Sequence, residues 1–210
     1  MGLASRRCVL LALAAVTVGA WPASGQDRAR DDGATSEQAA ARSLTAGQHA
    51  AATAGRDDPG TLRVSTRFDR ADMTYRKGDA VRLIIETNED AYVTVVDVGP
   101  SGQTIRLFPN AYQTENLVKA NTPIEIPPAA SGARITVSPP FGAELIKVVA
   151  SSKPVTVVPE KQLEGRGAFR SLTGGADALI HHVDAATAPG NSDRVAIVNR
   201  VIRTSEKVDP

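Results

Sequence analysis

The sequence predicts a mainly β protein: a single antiparallel β-sandwich of Ig-like or Greek-key type, or a partly open barrel, with one short helix. Three observations lead there. Val, Ile and Leu recur at strand spacing from Thr61 onward, turn residues interrupt them every ~10 positions, and almost no helical periodicity separates the runs.

The first residues follow a different rule. Met1 to Arg7 form a short cationic stretch, and an apolar run follows over residues 8–20. That is the layout of a secretory signal, and the run is too short to span a bilayer as a mature helix. Small residues offer cleavage after Ala20 or after Gly25, and the second leaves a polar start at Gln26, so residues 1–25 are read as a signal peptide. The expected location is therefore periplasmic or extracellular. Ser5-Arg6-Arg7-Cys8-Val9-Leu10 is similar to a twin-arginine signal, and both export routes stay open. Cys8 is the sole cysteine and precedes the apolar run rather than closing it, which argues against a lipid anchor. Once it is removed with the signal, the mature chain has no thiol for a disulfide, a metal or a nucleophile.

Residues 26–60 are Ala, Gly, Asp, Arg, Thr and Ser, with Leu44 as the one larger aliphatic. Such a stretch is expected to be a flexible spacer, at most transiently helical over residues 35–46, with a coil span of about 30–35 Å.

Residues 61–208 form the expected β domain. Candidate strands fall at 62–68, 80–87, 91–98, 103–108, 123–126, 133–138, 144–150, 155–158 and 194–203. Arg82, Glu86 and Arg134 alternate with apolar residues, as in strands with one wet face, whereas 91–98 is apolar on both faces apart from Thr94 and Asp97, as in a central strand. Asn88-Glu89-Asp90 reads as a hairpin loop and Gly99-Pro100-Ser101-Gly102 as a type I turn, so three consecutive strands are expected to form a meander. Leu179 and Val183 lie four apart, which predicts a helix over 176–186 laid across the sheet. The last strand must return to pair with an earlier one.

Tyr75-Arg76-Lys77-Gly78-Asp79, the run from Ala91 to Asp97, Gly99 to Gly102 and Leu107-Phe108-Pro109-Asn110 occur in this order, followed by Ile126-Pro127 and by Pro140-Phe141-Gly142 leading into an apolar strand. Over residues 62–204 this pattern resembles the bacterial domain of unknown function family 4384. The resemblance implies a β-rich extracytoplasmic or regulatory module and no particular activity.

The chemistry legible in the sequence is sparse. A formal net charge of +1 and dispersed Lys and Arg give no reason to expect a nucleic-acid partner. His181 and His182 are weak metal candidates, because neighbours on a helix point about 100° apart. No Gly-x-Ser-x-Gly elbow, calcium loop or phosphate cradle is present. The expectation is a non-enzyme without cofactor.

The distinctive elements are Phe108, Pro109 and Asn110 with Tyr112, and Pro140, Phe141 and Gly142. Each reads first as a strand-ending turn and second as a contact surface. The functional expectation is an exported envelope protein whose β domain binds a protein partner, with edge material over residues 122–140. The alternative is a glycan or small-ligand binder; against glycans, the domain has no Trp and three tyrosines, Tyr75, Tyr92 and Tyr112.

Overall fold

The computed structural model describes residues 37–206; the expected signal peptide and residues 26–36 of the expected spacer lie outside the described residues. The centre of the fold is β10 (Ala143–Ser151), whose nine residues are all buried. It pairs antiparallel with β5 (Ala91–Val98) on one side and β13 (Val195–Ser205) on the other. A strand covered on both faces must be apolar throughout, which explains why β5 and β10 read as near-continuous aliphatic runs. The sheet extends from β5 through β6 (Thr104–Phe108), β12 (Arg170–Leu172) and β11 (Leu163–Glu164), and from β13 to β2 (Thr74–Arg76). The short β7 (Leu117–Val118) pairs with the start of β5. All these pairs are antiparallel except β13 with β2, which is parallel.

A second sheet, in the order β1 (Val64–Phe68), β4 (Leu83–Thr87), β8 (Ile124–Ile126), lies over one face of the first. Leu83, Ile85 and Ile126 from this sheet share a buried cluster with Val93, Val95, Ile146 and Val148 from the large one. The two sheets form the sandwich. A two-stranded ribbon of β3 (Ala80–Val81) and β9 (Ile135–Thr136) extends one end of it.

The expected hairpin at Asn88-Glu89-Asp90 is instead the corner where the chain changes sheets, since β4 and β5 belong to different ones. All three side chains pin that corner. Asn88 accepts from the Arg63 N–H and donates to the Thr61 carbonyl. Glu89 takes both Arg194 donors at 3.0 Å, and Asp90 accepts from Lys119 and the Ala120 N–H. The expected strand at 155–158 is not one: Val157 and Val158 are buried but join no ladder.

The opposite face of the large sheet is covered by α1 (Ala46–Thr53) and α2 (Gly175–Ala186). The expected helix over 176–186 corresponds to α2, whose Leu179 and Val183 are fully buried. The first helix corrects the reading of a flexible spacer for residues 37–60. Ala40, Gln48, Ala51 and Ala54 are core residues, and residues 37–41 are helical too.

An Ala-rich segment without an aliphatic stripe is held here by polar anchors. Thr45 and Gln48 form a capping box at the start of α1. The Gln48 amide then donates to the carbonyls of Val98 and Ala143, at 2.8 and 2.7 Å, at the paired ends of β5 and β10. At the other end of α1 the buried Lys147 ammonium donates to the Ala52 carbonyl at 3.0 Å, the favoured place for a cation on a helix. Burial pulls its pKa down to about 8.

Replacing Gln48 by Ala strips two buried carbonyls of their side-chain donor. The expected loss is about 2 kcal/mol of unfolding free energy, measured by urea denaturation. A smaller loss than from Thr45→Ala, for which ~1 kcal/mol is expected, would contradict the anchoring role.

Candidate functional site

In a strand, residues two apart share a face. Ala91, Val93 and Val95 point into the core between the sheets, and Asp97 is next in phase. On β10, Ile146, Val148 and Ala150 point the same way, and Glu144 is in phase with them. Asp97 lies opposite Ile146 in the ladder, so the two acids occupy diagonal positions on one face of adjacent strands.

Beyond Ile146 the small sheet no longer covers this face, and a cleft of about 250 Å³ opens there. Its floor is Asp97, Ile105, Leu107, Glu144 and Ile146 of the large sheet with Ile202 and Thr204 of β13. Its walls are Phe68, Val81, Leu83, Phe169 and residues 134–140.

Glu144 is buried and Asp97 half-buried, both against the apolar lining of the cleft. Asp97 Oδ1 is sealed from solvent with no hydrogen-bond partner. Burial, reinforced by the neighbouring Glu144, pushes the Asp97 pKa well up. Burial raises Glu144 as well, to about 7, against the opposing pull of the Thr204 hydroxyl, which donates to Oε1 at 3.1 Å. Among the described residues neither acid forms an ion pair.

Gly99 leaves room beside Glu144: a Cβ there would lie 3.2 Å from Oε2 and crowd it. Thr204 is itself fixed, since its hydroxyl accepts from the Gly142 N–H at 3.0 Å and its N–H donates to the Gly142 carbonyl at 2.8 Å. Gly142 has φ 153°, and a Cβ there would crowd Pro100 at 3.3 Å.

The residues singled out in the sequence separate into two groups. Pro140 lines the cleft, Phe141 packs beside it against Tyr75 and Ile202, and Gly142 holds Thr204. Phe108, Pro109, Asn110 and Tyr112 lie elsewhere. Phe108 fills the core between the sheets, and buried Asn110 closes a turn. Its amide donates to the Leu107 carbonyl at 2.9 Å, while its Oδ1 accepts from the N–H groups of Tyr112 and Gln113. Tyr112, 52% exposed, projects from that turn.

His182 hydrogen-bonds the Gln162 side chain and His181 faces solvent, so the two diverge. Among the described residues no group of His, Cys, Asp and Glu is arranged to hold a metal ion. The acid pair went unrecognised in the sequence, although its signal is there. Asp97 is a lone acid in phase with the inward residues of a buried strand, and Glu144 follows a Pro-rich turn directly into another.

Residues 74–154 match the family model described as Domain of unknown function (DUF4384). That stretch is similar to the DUF4384 family. The match is shorter than the 62–204 of the sequence resemblance, and no curated protein and no solved structure matches the chain significantly. The matched stretch carries both acids, Gly99 and the wall at 134–140, but Phe68, Phe169, Ile202 and Thr204 come from outside it, so the cleft is completed by flanking segments.

A carboxyl whose folded pKa is raised weakens the fold as pH rises. Between the ordinary value of 4.5 and about 7 the folded state keeps the Glu144 proton that the unfolded chain has lost, so stability falls across that window and the full cost persists above it. Glu144→Gln is therefore expected to gain about 1–3 kcal/mol on wild type between about pH 4.5 and about pH 8, in urea denaturation at both. A difference that does not change with pH would contradict the burial of this group.

Proposed function

We propose that this protein is a non-catalytic, exported binding module whose ligand is a small, largely apolar molecule seated in the cleft over β5, β6 and β10. One observation carries the reading. An apolar recess with a few convergent polar groups, two of them with displaced pKa values, is the usual make-up of a ligand site. Its volume of about 250 Å³ lies just below the ~300–1,000 Å³ of common ligand clefts, which favours a small guest over an oligosaccharide. Export is supported by the cationic and apolar start of the sequence. No helix among the described residues is long and apolar enough to cross a membrane.

A protein-interaction role draws support from a different place. Tyr112 is the exposed large hydrophobic side chain among the described residues, and it stands on a turn that Asn110 makes rigid. An aromatic on a preorganised turn is a common anchor for a partner. Loss of an envelope partner in a cross-linked pull-down with Tyr112→Ala, at unchanged circular dichroism, is the expected outcome for that reading.

The cleft is tested with the neutral apolar dye Nile red. Saturable, one-to-one fluorescence enhancement is expected with the wild-type protein. It should fall roughly tenfold in affinity with Ile105→Trp, which fills the recess from a half-buried position. Unsaturable binding, or an affinity unchanged by Ile105→Trp in a folded variant, would refute the cleft as the ligand site.

A further inference from the structure

Buried carboxyls are normally paired with a cation or hydrogen-bonded on every lone pair. Asp97 and Glu144 have neither arrangement. Asp97 Oδ1 is closed off from solvent and unpartnered, and Glu144 receives the Thr204 hydroxyl alone. Both acids face the same recess from neighbouring strands, at diagonal positions separated by about 7–8 Å along the ladder. A group lodged between them can meet both.

Among the residues that line the recess, Arg134 of the 134–140 wall is the one charged side chain besides the two acids; the 99–103 turn, the same wall and β13 add uncharged polar groups, among them Gln103, Ser138 and Thr204. Arg134 is exposed and makes no ion pair with either acid. The inner end of the recess thus holds two acids without a cation, and its rim holds one cation.

Building on the cleft as a ligand site, we propose that its inner end is a subsite for a protonated primary amine carried on an apolar body, with the ammonium seated between Asp97 and Glu144. The ammonium has three donors and no acceptor, which matches the Asp97 carboxyl that lines the recess on one side and the lone pairs of Glu144 left over by Thr204 on the other. The aliphatic floor of Ile105, Leu107 and Ile146 covers the body of the ligand, as it would the stem of a lysine. Arg134 at the rim disfavours a second positive charge at the outer end, so a monoamine is preferred to a diamine of equal length. Because Glu144 takes up a proton near pH 7, amine binding weakens as pH falls through that value.

Calorimetry with the full chain separates this subsite from the cleft that contains it. Hexylamine, 1-hexanol, hexanoate and 1,6-diaminohexane share one chain length and differ in their ends. At about pH 8 hexylamine is expected to bind roughly tenfold more tightly than hexanol, with hexanoate and the diamine weaker than hexylamine. Asp97→Asn combined with Glu144→Gln should abolish the preference for the amine, so that hexylamine and hexanol bind alike, with unchanged circular dichroism showing that the variant is folded. Equal binding of hexylamine and hexanol would overturn the amine subsite while leaving the cleft standing. Absence of binding by all four, together with failure of Nile red, would remove both.

Discussion

The whole molecule is organised by the double burial of β10. A strand hydrogen-bonded to neighbours on both sides and covered on both faces leaves its side chains no access to bulk water, so each polar residue on it must be met by a specific partner or tolerated at a cost. Two charged residues interrupt its aliphatic run, and they point in opposite directions. Lys147 is turned to the helical layer, where the end of α1 receives it. Glu144 is turned to the sandwich side, where a single hydroxyl does. One charge is built into the scaffold and the other is left open to the cleft.

Much of the β architecture was legible because it rests on local periodicity. Residues 91–98 announce a central strand by lacking a wet face, and Leu179 with Val183 announce the helix that packs on it. What local pattern could not show is pairing at long range. The Asn88-Glu89-Asp90 loop has the composition of a hairpin turn, yet its side chains bind Thr61, Arg63, Lys119, Ala120 and Arg194, and those distant partners turn the corner into a sheet change. Residues 46–53 fail every test of amphipathicity. They are ordered by an amide reaching carbonyls 50 and 95 residues away.

The candidate site was hidden for a related reason. Asp97 and Glu144 are 47 positions apart, and only the register between β5 and β10 makes them neighbours. The turn at Pro140 to Gly142 was visible as a rigid element, and its contribution is to fix Thr204 beneath Glu144. The Asn110 corner was equally conspicuous but closes a turn at a distance from the cleft.

The bond pattern of Gln48 has a mechanical side. Its amide grips the backbone at Val98 and Ala143, the residues next to Asp97 and Glu144, from the far face of the same two strands. One side chain thus ties the helical layer to the two backbones that carry the carboxyls, so the packing of α1 on the far face shares in setting their spacing.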